Sequence, residues 1–148
     1  MSFVPRDFDP PTPPETRDFR LEPLGPQHNE ADYAAWTSSM DFIRSLPGWR
    51  DSSWPTPMTL DENRADLECH ARGFAERTQF CYSVLQPGGG PVVGCVYVKP
   101  TVPLHDGTAE VRSWVSAGHA GLDVPLYDAV AAWLRDAWPF DSVEYAAR

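Results

Sequence analysis

Residues 110–125 read Glu110-Val111-Arg112-Ser113-Trp114-Val115-Ser116-Ala117-Gly118-His119-Ala120-Gly121-Leu122-Asp123-Val124-Pro125. The first part alternates. Glu110, Arg112 and Trp114 share one side, and Val111, Ser113 and Val115 the other, which is the period of a β-strand. A loop with two glycines follows. From Asp123 the apolar spacing becomes helical: Leu126, Val130, Trp133, Leu134 and Ala137 line one face, and Pro139 ends it. Asp123 itself is of the residue type that caps helix N-termini.

Working outward, 80–85 and 92–98 read as strands around Gly88-Gly89-Gly90, a hairpin signal. The polar turn His105-Asp106-Gly107 leads into the strand at 109–116. Thr59-Leu60-Asp61-Glu62 is a capping box. It predicts a helix to about residue 77 that buries Leu67, Ala71 and Phe74. Prolines and Gly48 exclude regular structure from 46 to 58. Tyr33, Trp36, Met40 and Ile43 are spaced for one helix over 27–44. Phe19 to Leu24 alternates as a first strand closed by Pro23, and Val143-Glu144-Tyr145 forms a short last one. The order is strand, two helices, three antiparallel strands, helix, strand: an α+β fold.

The chain has 148 residues, one domain by length. Twelve basic against 21 acidic residues give a net charge of −9. With no Lys/Arg cluster, no nucleic-acid partner is expected. No apolar run nears the ~20 residues of a membrane span, so no membrane partner is expected either. Cys69, Cys81 and Cys95 form no CxxC pair, so no metal is expected. The first residues lack the basic and apolar regions of a signal peptide. The expectation is a cytoplasmic protein with reduced thiols. Of 16 prolines, Pro5, Pro10, Pro11, Pro13 and Pro14 fall early. Residues 1–17 therefore read as a Pro-rich flexible N-terminal arm, and 18–148 as the domain.

Three of these segments carry a family resemblance. Phe19-Arg20-Leu21-Glu22-Pro23-Leu24 resembles the opening strand of the GCN5-related N-acetyltransferases (GNAT). Pro91-Val92-Val93-Gly94-Cys95-Val96-Tyr97-Val98 resembles their third strand. Glu110-Val111-Arg112-Ser113-Trp114-Val115 is similar to their fourth. The resemblance covers about residues 18–148. It implies a mixed, mostly antiparallel sheet flanked by helices, lacking the last helix and hairpin. It also implies acetyl-CoA as cofactor, lying in a splay between strands four and five, with its pyrophosphate at a helix N-terminus, where free N–H groups and the positive helix end favour anions. The family loop runs Gln/Arg-x-x-Gly-x-Gly/Ala. Here Ala120 stands at its first position, and Asp123 and Pro125 at its small-residue positions. Gly118 and Gly121 serve as the loop glycines only in a gapped alignment.

The resemblance implies these site residues. Trp114, Val115, Ser116, Gly118, His119, Ala120, Gly121 and Leu122 would hold the cofactor. Glu110 would act as general base and Tyr145 as proton donor to the thiolate. Trp49 and Trp54 would bind a small-molecule amine acceptor. Each also has a plainer reading: a surface carboxylate, a half-buried strand tyrosine, tryptophans closing the core. Two functions follow. One is an acetyltransferase acting on a small amine. The other is a catalytically degenerate GNAT-fold protein acting as a ligand-binding or dimeric interaction module. A homodimer is expected in either case.

Overall fold

In the computed structural model, which describes residues 2–148, the alternation at 109–116 becomes the fourth strand of a five-stranded sheet. The strands are β1 (Arg20–Pro23), β2 (Phe80–Leu85), β3 (Val92–Pro100), β4 (Thr108–Val115) and β5 (Ser142–Tyr145), ordered β1-β2-β3-β4-β5. The first three pairings are antiparallel, and β4–β5 is parallel. The helices are α1 (Asn29–Thr37), α2 (Met40–Ser45), α3 (Leu60–Ala75) and α4 (Asp123–Ala137). The α+β class and the mostly antiparallel sheet flanked by helices are as the sequence implies.

Both faces of the sheet are covered, so β2 is buried along its whole length. On one face Val111 and Val115 pack with Leu126, Val130 and Leu134 of α4. On the other, Cys95 and Trp114 pack with Trp36, Ile43 and Leu67 of α1, α2 and α3. Period-two alternation along β4 thus feeds two separate cores. The capping box forms as read: the Glu62 N–H donates to Thr59 Oγ1 at 3.1 Å, and the Thr59 N–H to Glu62 Oε1 at 2.8 Å.

Several expectations are corrected. The helix over 27–44 is broken into a 3-10 turn (Pro26–His28), α1 and α2. The break lies at Ser38 and Ser39. Ser38 Oγ donates to the Ala34 carbonyl, 2.8 Å away, the local competition that interrupts helices. Ser39 leaves helical backbone at φ −131°. Helix α3 buries Asn63, Leu67 and Gly73, while Ala71 and Phe74 are only partly covered. Three of the early residues make apolar contacts with the domain. Val4 lies in the core, Phe3 stacks on Phe140 at 5.2 Å, and Phe8 meets Trp138 at 5.2 Å. Within the expected flexible arm, Phe3, Val4 and Phe8 make these apolar contacts, and residue 1 lies outside the described residues. Asp123 is the first helical residue rather than the cap, a position held by Leu122.

One close approach sets the β3–β4 spacing. Gly94 pairs with Val115, and a Cβ at 94 would collide with the Trp114 carbonyl oxygen. Gly94→Ala is expected to lower stability by about 1–3 kcal/mol through this overpacking, read from urea denaturation. An unchanged midpoint would show that the strands part without cost.

Candidate functional site

A cavity of about 300 Å³ opens on the α1–α3 side of the sheet. Its floor is Tyr97 and Lys99 of β3 with Glu110 and Arg112 of β4. Asp32 of α1 and Asp66 and His70 of α3 form the wall, and Trp49 and Trp54 the roof. The β3–β4 register places Tyr97 opposite Arg112 and Lys99 opposite Glu110. Glu110 is about two-fifths exposed, with Arg112 Nη2 3.5 Å from Oε1. The Arg112 guanidinium lies over the Trp49 ring at 5.6 Å, and the Lys99 ammonium over Tyr97 at 5.5 Å. Trp54 leans on Trp49, with ring centroids 5.2 Å apart.

A buried polar layer supports the wall. Asn63 Nδ2 donates to Asp32 Oδ2 at 3.0 Å and to Asn29 Oδ1 at 2.9 Å, and Asn63 Oδ1 accepts from Trp36 Nε1 at 3.0 Å. The Cys95 thiol donates to Asp32 Oδ1 at 3.3 Å. Burial raises the Asp32 pKa, against the opposing pull of Asn63 and Cys95. Burial also lowers the His70 pKa, and the Lys99 charge adds to that. Tyr97 accepts from Trp114 Nε1 at 2.9 Å, and burial pushes its phenol well up. Asp32, Asp66, His70, Tyr97, Lys99 and Arg112 belong to the cavity although the sequence reading gives them no site role. For Tyr97 and Lys99 the usable signal is strand alternation with Cys95.

Of the expected site residues, Glu110, Trp49 and Trp54 come together here. Tyr145 does not join them. It pairs beside Val111, on the opposite face of the sheet from Glu110. Its hydroxyl is bonded to Ser113 Oγ, its ring meets Tyr127 at 4.6 Å, and burial pushes its pKa up to about 12. Tyr145 thus does not line the cavity that Glu110 faces.

Of the loop residues, Gly118, His119, Ala120, Gly121 and Leu122 lie in a 3-10 turn (Ala117–Leu122) ahead of α4, and Ser116 stands at its N-cap position. The Ala117 N–H donates to the buried Ser39 hydroxyl at 2.9 Å. The His119 ring is held by Ser116 Oγ at 2.9 Å and by Gln86 Nε2 at 3.1 Å. A Cβ at Gly118 or Gly121 would meet nothing within 4 Å. Packing therefore does not require glycine at either position. Trp114 and Val115 are fully buried.

Pairing of β4 with β5 runs from Thr108↔Ser142 to Val111↔Tyr145. Past that point Arg148 fills the gap. Its Nη2 donates to the Ser113 carbonyl at 2.9 Å, and its Nε to Asp123 Oδ2 at 2.9 Å. Its Nη1 donates to the Ala146 carbonyl at 2.8 Å and the Pro47 carbonyl at 3.3 Å. The guanidinium lies over both Tyr127 and Tyr145, and the side chain is 2% exposed. The Ser113 carbonyl also accepts from Trp49 Nε1 at 2.8 Å, so gap and cavity adjoin at that atom.

No protein-family model and no curated protein matches the chain. Solved structures do. The microcin self-immunity acetyltransferase MccE, in complex with acetyl-CoA and AMP, superimposes at TM-score 0.59 and 13% identity over 82% of this chain and 63% of that one. RimL, a ribosomal-protein alpha-N-acetyltransferase, gives TM-score 0.65 and 13% identity over 90% and 68%. A GCN5-related N-acetyltransferase from Brucella melitensis gives 0.62 and 19% over 91% and 62%. The chain has the GNAT fold, and it spans less than two thirds of the MccE chain. At these identities the likeness is one of fold.

Because burial raises the folded-state pKa of Asp32 from its ordinary 3.8, the folded protein binds that proton more tightly than the unfolded chain. The resulting stability is complete below 3.8 and is lost as pH rises through the raised value. Comparison of the wild type with Asp32→Asn in denaturant should show the wild-type advantage shrinking as pH rises towards neutrality. A difference independent of pH would refute the shift.

Proposed function

We propose that the chain is an N-acetyltransferase that moves an acetyl group from acetyl-CoA to a small amine in the cavity. The observation that carries this reading is Glu110: a carboxylate of β4 that faces a cavity roofed by Trp49 and Trp54, on the fold of known acetyltransferases. Glu110 accepts a proton from the acceptor ammonium, directly or through water, and frees the lone pair for attack. Trp49 and Trp54 exclude water and present ring faces to the cationic amine. Acetyl-CoA, when bound, supplies the activated thioester carbonyl.

The turn ahead of α4 fits the cofactor in part. Open space at Gly118 and Gly121 gives the backbone room for a diphosphate, beside His119. The β4 edge does not fit while Arg148 holds the Ser113 carbonyl and pairs with Asp123. That contact favours a second reading: a GNAT-fold module that binds a ligand in the cavity without acetyl transfer. The three free thiols are consistent with a cytoplasmic setting. The half-covered edge strand β5 is where a homodimer would form.

Calorimetric titration with acetyl-CoA separates the readings. The double variant Arg148→Ala with Asp123→Asn, which leaves no lone buried carboxylate, is expected to bind roughly tenfold tighter than wild type. Glu110→Gln is expected to lower kcat about 100-fold or more while leaving the affinity for acetyl-CoA unchanged. Absence of binding to both wild type and double variant would remove the transferase reading and leave the ligand-binding one.

A further inference from the structure

Lys99 and Glu110 of the cavity floor are adjacent, yet Glu110 pairs with Arg112 and Lys99 pairs with no carboxylate among the described residues. Lys99 stands directly opposite Glu110, and residues so placed on antiparallel strands have Cβ atoms about 5 Å apart. Yet among the described residues Lys99 forms no ion pair. Its ammonium lies over the Tyr97 ring, and Glu110 leans towards Arg112 at 3.5 Å. Burial and then the Lys99 charge lower the pKa of His70 on the cavity wall, which disfavours its cationic form. Both Lys99 and Glu110 line the same small cavity, and Lys99 is half-buried. At such a site a charge–charge contact is stronger than in open solvent.

A ligand with only an ammonium would satisfy Glu110 and leave Lys99 unmatched. A simple anion would do the reverse and meet Glu110 with like charge. A molecule with both charges on neighbouring atoms satisfies the pair together. The volume of about 300 Å³ lies at the small end for ligand sites, and the roof is aromatic. We propose that the cavity binds a free α-amino acid as its zwitterion, with the carboxylate on Lys99, the ammonium on Glu110 and the side chain against Trp49 and Trp54. This rests on the assignment of the cavity as the acceptor site and specifies its substrate. The binding step itself involves no acyl-CoA.

The test is a thermal-shift panel of the protein L-amino acids at millimolar concentration, without cofactor. The tightest binder is then compared by calorimetry with its decarboxylated amine and its N-acetyl derivative. The expected result is a binder that weakens roughly tenfold or more when either charge is removed. Lys99→Met should erase the preference for the acid over the amine, and Lys99→Arg should retain it. A panel with no binder, an amine that binds as tightly as its amino acid, or a preference that survives Lys99→Met would each overturn the proposal. Amino-acid binding in a protein that ignores acetyl-CoA would uphold it while removing the transferase reading. Acetyl-CoA binding with an empty panel would do the opposite.

Discussion

The backbone contact between Gly94 and Trp114 holds β3 against β4 closely enough that no side chain fits at 94. That contact locks the register in which Cys95, Tyr97 and Lys99 face Trp114, Arg112 and Glu110. A one-residue slip would turn Glu110 and Arg112 into the core under α4 and push Val111 and Val115 out among polar groups. The same alternation that fills two cores therefore presents the polar row to the cavity. The cavity is where the α1–α3 core stops short of the strand ends, leaving Lys99 and Glu110 uncovered.

Above that floor, Asn63 joins α1 to α3. One side chain donates to Asp32 and Asn29 and accepts from Trp36. Burying so many polar atoms costs free energy unless each is matched. Here the match uses groups from two helices and a strand, and it leaves one rigid arrangement. Asp32 is the strained member. Its carboxylate is 3% exposed, and neutral donors alone, Asn63 and the Cys95 thiol, hold it. The wall of the cavity is thus fixed from behind, while Glu110 in front stays reachable by solvent.

Features set by near neighbours could be read from the chain itself. The strand at 109–116, the hairpin around Gly88-Gly89-Gly90 and the capping box at Thr59 depend on residues within a few positions, and all appear. The break at Ser38 and Ser39 combines the local bond of Ser38 to the Ala34 carbonyl with a partner far along the chain, for Ser39 receives the Ala117 N–H. No local pattern shows that. Residues 2–17 looked mobile because prolines dominate, yet Phe3, Val4 and Phe8 find apolar partners contributed by α4, β2 and the segment after α4. The site divides in the same way. Trp49, Trp54 and Glu110 stand out by residue type and position. Asp32, Asp66, His70 and Lys99 each look like ordinary surface polar residues until the fold gathers them.

Asp123 shows how one distant contact can reverse a local reading. At the start of a helix an aspartate suggests a cap, and a cap would repel a diphosphate. In the structure its carboxylate turns from the helix amides to Arg148, and the charge at the head of α4 is neutralised from within. The acidic residue is therefore less of an obstacle to an anion than the arginine that matches it, for the guanidinium occupies the gap beside β4. An anion arriving there would itself suit a guanidinium. The obstacle at this end of the sheet is thus one of position rather than charge: the Ser113 carbonyl can serve Arg148 or an incoming ligand chain, not both. Because Trp49 bonds the same carbonyl from the cavity side, the gap beside β4 and the roof of the cavity share one acceptor atom.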